Sequence, residues 1–308
     1  MRIRPVVATL VAAVALIVPA TAAAAPQVGL SEQDTTMFAN KKFTALKIRH
    51  GRVVVGWDVL KNPSEKAYLD AWLAGAKRAK VRPLVSFNHS RIPGQETKLP
   101  SVAAFRSQVR AFRKAYPKVK DFVTWNEGNH ISQPTYKHPA RAAQYFDVLA
   151  AACRGCRIAA ADVLDDKKNM TSWLRKFSRK AKHKGKIWGL HNYVDANAFK
   201  SAGTKRMLRA VKGQIWFTET GGLVKRYQRK RPGVRARWVR HSLKHAGKAT
   251  GYVFKLAALS RRVTRVYIYH FMPSTRTGAT WDSALIDARG RPRPSYRVVK
   301  SYMKKHRH

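Results

Sequence analysis

From Pro26 onward, short runs of apolar and β-branched residues alternate with longer stretches whose apolar positions recur every three or four residues. The short runs cover 27–30, 52–57, 82–87, 121–125, 157–163, 186–191, 214–218 and 265–271, and read as eight strands. Helical patterns lie between or after them at 64–79, 101–115, 140–152, 171–183, 234–249 and 295–303, while the first interval, 35–48, is short for a full helix. Val53-Val54-Val55 and Ile158-Ala159-Ala160-Ala161 are apolar without alternation, the mark of strands covered on both faces. Strands alternating with helices imply βα units and a parallel sheet. Eight units predict an α/β fold of the (β/α)8, or TIM barrel, type in a single domain. The GxGxxG and Walker A patterns of nucleotide-binding open sheets are absent from the sequence. In such a barrel the functional groups stand just past the C-terminal ends of the strands.

The N-terminus changes the count of residues available. Arg2 and Arg4 precede an apolar run at 6–20 and a small-residue stretch at 20–25, the layout of a secretory signal peptide. Residues 1–25 are therefore expected to be removed, leaving a 26–308 catalytic-size domain of 283 residues, enough for one barrel of about 250 residues. No later run approaches the ~18–20 apolar residues of a membrane span, so the expectation is a secreted, extracellular protein.

Charge comes next. The chain carries 62 Lys and Arg against 16 Asp and Glu, a net +46, of which the leader's two arginines take two. Such a field concentrates polyanions. The cations are dispersed, densest at 175–186 and 225–237, both read as helix or loop. This fits a solvated basic surface, retention on an acidic cell wall, or an anionic polysaccharide as partner or substrate. A specific nucleic-acid partner is not expected, because no groove of interleaved basic and aromatic residues is visible. Cys153 and Cys156, in Cys-Arg-Gly-Cys, read as a small disulfide loop in an exported chain. A zinc site needs about four ligands, and no second pair is present.

The strand ends carry the chemistry. The fourth run ends Trp125-Asn126-Glu127-Gly128-Asn129-His130, and the seventh ends Trp216-Phe217-Thr218-Glu219. With only 16 acids in the chain, a glutamate at each of two strand ends stands out from scattered charge. Retaining glycoside hydrolysis needs two carboxyl groups about 5–5.5 Å apart, one to protonate the leaving oxygen and one to attack the anomeric carbon. The 92-residue separation equals about three βα units of ~30 residues, which places strands four and seven across the barrel.

Trp-Asn-Glu at strand four with Trp-Phe-Thr-Glu at strand seven resembles clan A of the glycoside hydrolases, the (β/α)8 group of cellulase-, mannanase- and β-xylosidase-like enzymes. The resemblance spans the chain after the leader. It implies Glu127 as acid/base, Glu219 as nucleophile, and Asn126 as a partner of the sugar 2-hydroxyl. It further implies that Tyr193, in His191-Asn192-Tyr193, touches the nucleophile, that Arg52 occupies the second strand's arginine position, and that Trp281 stacks on a pyranose ring. Asn88 and His89 at the end of strand three are further substrate-binding candidates, with Asp162 and Glu32 at the ends of strands five and one. The carbohydrate substrate would be cleaved with no metal and no organic cofactor.

Several of these residues also have plainer readings. Trp125 and Trp216 also read as core aromatics, and His191 as a buried, hydrogen-bonded histidine. Glu127-x-x-His130 matches a di-metal motif only on a helix with a repeat elsewhere, and here it falls in a loop. No Gly-x-Ser-x-Gly elbow occurs. The alternative function is a non-catalytic barrel that binds anionic cell-wall polysaccharide. A binder has no need of both glutamates.

Overall fold

All eight expected strands form. The computed structural model describes residues 25–228, 231–235, 239–274 and 278–306, so the expected leader lies outside it apart from Ala25. The chain runs β1 (Gln27–Ser31), α1 (Lys41–Leu46), β2 (His50–Gly56), α2 (Pro63–Arg78), β3 (Arg82–Asn88), α3 (Val102–Ala115), β4 (Asp121–Val123) and α4 (Pro139–Ala152). It continues through β5 (Arg157–Leu164), α5 (Met170–Lys180), β6 (Ile187–His191), α6 (Tyr193–Ala198), α7 (Ala202–Ala210) and β7 (Gln214–Thr220). The remainder is β8 (Lys225–Gln228), β9 (Arg231–Arg235), α8 (Leu243–Ala257), β10 (Val263–Tyr269), β11 (Trp281–Asp282) and α9 (Pro294–Lys305). β1–β7 and β10 close a barrel in the order β1-β10-β7-β6-β5-β4-β3-β2, every pair parallel. No helix among the described residues is long and apolar enough to cross a membrane.

The helices form for local reasons and dock through single stripes. Ser101 caps α3 by accepting the Ala104 N–H at 3.1 Å, and Phe105, Val109 and Phe112 then recur on its buried face. α5 repeats the spacing with Met170, Trp173, Leu174 and Phe177. Phe105 stacks on Tyr145 at 4.4 Å and meets Phe87 edge-on at 5.9 Å, joining α3, α4 and β3. Each fully buried side chain of this size contributes about 2–3 kcal/mol of apolar burial.

The barrel interior is layered, as filled barrels are. Leu84, Val123, Ala159, Ile187, Trp216 and Tyr267 form the middle layer. Asp121 and Arg265 lie toward the N-terminal mouth, and Arg52, Ser86, Asp162 and His191 toward the C-terminal mouth. Tyr267 fills the interior because its partner in register is Gly29, where a Cβ would come within 2.5 Å of the ring.

The interval 35–48, expected to be short for a full helix, forms a 3-10 turn (Thr35–Ala39) and the short helix α1, capped by Asn40. Departures from the sequence reading come later in the chain. The basic stretch at 225–237, read as helix or loop, contains the antiparallel pair β8–β9, and β8 pairs in turn with β11. The helix expected from 234 instead begins at Leu243, where Ser242 accepts the His245 N–H, and it runs on to Ala257. Between β6 and β7 the chain forms α6 and α7, which the sequence reading left unassigned.

Candidate active site

Past β4 the backbone continues in strand-like pairing, with Asn126 N–H donating to Phe87 O at 2.7 Å. It then turns sharply at Glu127, which adopts φ 47°. A left-handed non-glycine residue costs about 1–3 kcal/mol and persists only where the surroundings hold it. Here Gly128 N–H donates to Asp162 O at 2.8 Å, and His130 N–H donates to Glu127 O at 2.8 Å. The turn presents the Glu127 side chain across the mouth toward Glu219 on β7. His191 ends β6 directly in register with Glu219.

One carboxylate oxygen of Glu127, one of Glu219 and a ring nitrogen of His191 all lie within 4.8 Å of one another. Each carboxylate has its own holders. Glu219 accepts from Arg52 Nη1 at 2.7 Å on one oxygen and from the Tyr193 hydroxyl at 3.0 Å on the other. Glu127 Oε1 lies 3.0 Å from His191 Nδ1, and His191 Nε2 lies 3.0 Å from Asp162 Oδ2. Arg52 also donates through Nη2 to Asn126 Oδ1 at 2.5 Å and to Asp162 at 3.2 Å, and through Nη1 to Ser31 Oγ at 2.9 Å. Thr218, one residue before Glu219, donates to the other Asp162 oxygen at 2.5 Å. Asp162 fits there because Gly189 lies beside it in register, where a Cβ would fall 2.3 Å from its carboxylate.

Burial sharpens these charges. Arg52, His191 and Asp162 have fully buried side chains, whereas Glu127 and Glu219 keep 22 % and 14 % exposure. Burial alone would disfavour a histidine cation, yet Asp162, Glu219 and the hydrogen bond to Glu127 raise His191 to about 10. Burial raises the Glu127 carboxyl, but the hydrogen bond and charge of His191 outweigh it and hold it below the usual carboxylate range. Burial and Glu219 keep the Tyr193 hydroxyl protonated far above its ordinary range, which suits a donor to a carboxylate. Glu127, His191 and Glu219 are close enough to share a metal ion. The two Glu219 oxygens are, however, already held by Arg52 and Tyr193, His191 Nε2 by Asp162 and His191 Nδ1 by Glu127, and a divalent cation would sit beside a buried guanidinium.

The two glutamates open into a cavity of about 850 Å³ at the C-terminal mouth, lined also by Tyr193, Asp165, Arg206, Tyr269 and Trp281. Trp281 stands in β11, packs edge-to-face on Tyr193 at 4.7 Å and carries Arg226 over its ring at 4.9 Å. Arg52 and Asn126 sit beneath the carboxylates. With its oxygen held by Arg52, Asn126 has its amide N–H groups left to offer. Asn88 and His89 end β3 but do not line this cavity, and His89 Nδ1 is engaged with Ser90 O at 2.9 Å.

Glu32 does not line this cavity either. Its carboxylate accepts the N–H groups of Gln33, Asp34, Phe271 and Met272, fastening the loop after β1 to the end of β10. Sequence reasoning missed Tyr269, Arg206 and the buried Asp165–Asp195 contact, where the Asp195 N–H donates to Asp165 Oδ2 at 2.9 Å. Asp165 lies two residues past the strand-five run, directly after β5, and that position was the available signal.

No protein-family model matches the chain, and no curated protein matches it in sequence. In structure it is similar to GH5_18 from Streptomyces cattleya in complex with GlcNAc, at 15 % identity and TM-score 0.68 over 93 % of this chain and 81 % of that one. It is similar to an endo-β-1,4-glucanase from Xanthomonas axonopodis pv. citri, at 13 % identity and TM-score 0.60 over 91 % and 99 %. A β-glucosidase from Thermotoga maritima in complex with deoxynojirimycin aligns at 10 % identity and TM-score 0.61 over 86 % and 85 %. At these identities what is shared is the (β/α)8 fold.

Proposed function

We propose that this chain is an exported β-glycoside hydrolase acting by double displacement, with Glu219 as nucleophile and Glu127 as acid/base. The observation that carries the reading is the facing pair itself: carboxylate oxygens within 4.8 Å, each fixed by different partners, at the floor of an open cleft. That proximity is compatible with the ~5–5.5 Å spacing of retaining enzymes and favours it over the ~6.5–9.5 Å of inverting ones. The fold shared with a GH5_18 protein, an endo-β-1,4-glucanase and a β-glucosidase supports the same class.

The residues divide the work. Arg52 and Tyr193 hold both Glu219 oxygens and aim the carboxylate at the anomeric carbon. As Glu219 forms the C–O bond, the glycosidic C–O bond breaks and Glu127 protonates the leaving oxygen. His191 Nδ1 is the store of that proton, 3.0 Å from Glu127 Oε1, while Asp162 keeps the other ring nitrogen protonated. In the second half, Glu127 takes a proton from water as the water oxygen attacks the anomeric carbon and the ester to Glu219 breaks. Asn126 donates to the 2-hydroxyl, and Trp281 offers an apolar wall to the sugar.

The test is hydrolysis of a panel of aryl β-glycosides and β-linked polysaccharides by the protein and by Glu219→Ala and Glu127→Ala. Both variants should lose activity, azide should restore turnover in Glu219→Ala, and the first-formed anomer should retain configuration. Polysaccharide binding without turnover on any substrate would instead favour the non-catalytic barrel.

A further inference from the structure

A buried carboxylate is costly unless donors meet its oxygens. Among the described residues, two buried carboxylate oxygens have no donor: Asp58 Oδ1 and Glu65 Oε2. They come from different segments, Asp58 from the turn after β2 and Glu65 from the first turn of α2. The two oxygens nonetheless border the same space beside the end of β2. A Cβ on Gly56 would lie 3.1 Å from Asp58 Oδ1 and 3.0 Å from Glu65 Oε2. The residues are only 4 % and 6 % exposed, so bulk solvent does not screen them.

The other oxygen of each carboxylate is committed, which fixes the unmet pair in place. Asp58 Oδ2 accepts from Ser90 Oγ at 2.8 Å. Glu65 Oε1 accepts the Gly56 N–H at 2.7 Å and pairs with Arg91 Nη1 at 3.3 Å. Ser90 and Arg91 follow β3, so the loops after β2 and β3 and the start of α2 converge on this point. Arg91 is a weak counter-charge. Its side chain is 36 % exposed, and its Nη2 donates to Val54 O at 2.7 Å. Burial pushes the Glu65 carboxyl above its usual range, against the pull of the Gly56 N–H and Arg91. The gap does not come from a shortage of cationic side chains, for the chain has 62, yet none reaches Asp58 Oδ1 or Glu65 Oε2 among the described residues.

We propose that Asp58 and Glu65 form a binding site for a hard divalent cation of the calcium class, bridged by Asp58 Oδ1 and Glu65 Oε2 and completed by water. A water molecule alone would give each oxygen a donor but leave two negative charges out of solvent, whereas a cation supplies the charge as well. Oxygen ligands suit calcium or magnesium rather than a softer metal. Two protein carboxylates in a strongly positive chain place the affinity at the weak end, with Kd about 10⁻⁴–10⁻³ M. The ion would clamp the loops after β2 and β3 onto α2. The site shares no residue with the Glu127–Glu219 pair and stands whether or not the cleft cleaves glycosides.

Thermal unfolding and calorimetric titration with calcium chloride, at ionic strength held constant with sodium chloride, test it. Calcium at ~10 mM should raise the Tm of the protein by about 3–5 °C. Asp58→Asn and Glu65→Gln should each abolish that rise and the heat of calcium binding. Gly56→Ala keeps both charges but puts a methyl group against the two oxygens, and should remove most of the rise. Asp70→Asn, which neutralises an exposed carboxylate paired with Lys66, should keep the full rise. Glu219→Ala should keep it too, which separates this site from the cleft carboxylates. No rise and no heat of binding in the parent protein would overturn the cation in favour of a bridging water or a shared proton. A rise that survives in both Asp58→Asn and Glu65→Gln would place the ion elsewhere and overturn the site as well.

Discussion

Replacing His191 with glutamine separates a proton store from a merely buried histidine. The ring is fully buried between Asp162 and Glu127, at 3.0 Å from each. Burial opposes its charge, but Asp162 first, then Glu219 and the hydrogen bond to Glu127, raise it from 6.5 to about 10, a change worth about 5 kcal/mol shared among these carboxylates. The sign follows from linkage. A raised histidine gives stability that is complete below about pH 6.5 and is lost as pH rises through about 10. Over the same window the pair keeps the proton that Glu127 must deliver. In His191→Gln the cation disappears, and burial is left as the dominant influence on Glu127. The alkaline limb of kcat/KM then becomes that of one buried carboxyl and moves to lower pH. The assay is kcat/KM from about pH 4 to about pH 10 on aryl β-glycosides with good and poor leaving groups, with thermal unfolding alongside. A displacement of the alkaline limb by more than about two pH units is expected. It should be largest for the poor leaving group, which needs the acid most. An alkaline limb that stays in place while kcat merely falls would refute the proton-store role.

Arg52→Met should destabilise the fold by about 3–5 kcal/mol in denaturant unfolding, because Asp162 and one Glu219 oxygen lose a buried cationic partner. Tyr193→Phe removes one hydrogen bond to Glu219, so unfolding should move by about 1 kcal/mol while kcat drops with little change in KM. Burial, opposed by the Asp195 N–H and reinforced by the Asp195 charge, pushes Asp165 up to about 7 from 3.8. The folded chain therefore holds a proton that the unfolded chain releases, and stability declines between about pH 4 and about pH 7. Asp165→Asn should recover up to about 4 kcal/mol above pH 7 and nothing below about pH 4, read from unfolding curves at both pH values.

The strands were legible because a parallel barrel buries both faces of each one, so β2 and β5 are apolar almost throughout. Glu127 and Glu219 were legible because polar residues at the ends of such runs have few other reasons to be there. The roles of Arg52, Asn126 and Tyr193 came from resemblance rather than spacing. What resisted reading depends on tertiary pairing. The β8 strand is a one-signed basic run with no clear period, and its extended state comes from hydrogen bonds to β11, some 55 residues away. Glu32 looked like Glu127, a carboxylate after a strand, yet four backbone N–H groups claim it, and no pattern in the sequence announces them. Asp162 was visible at a strand end, but its bridge from Arg52 to His191 depends on the register that sets Gly189 beside it.

The imbalance of charge explains why the acidic residues were the most readable part of this chain. In a chain with 62 lysines and arginines, a surface carboxylate meets attraction from many directions and gains little from any one of them. Seven of the 16 acids are instead buried: Glu32, Asp58, Glu65, Asp121, Asp162, Asp165 and Asp195. Burial is tolerable for them only because specific donors meet them, as arginines meet Asp121 and backbone N–H groups meet Glu32 and Asp195. Asp165 and Asp195 reach the same cavity but are only 5 % and 3 % exposed, whereas Glu127 and Glu219 are fixed by buried partners and still keep 22 % and 14 % exposure there. A carboxylate kept for structure has no use for that opening. One kept for chemistry must have it, because its remaining lone pairs have to reach a substrate.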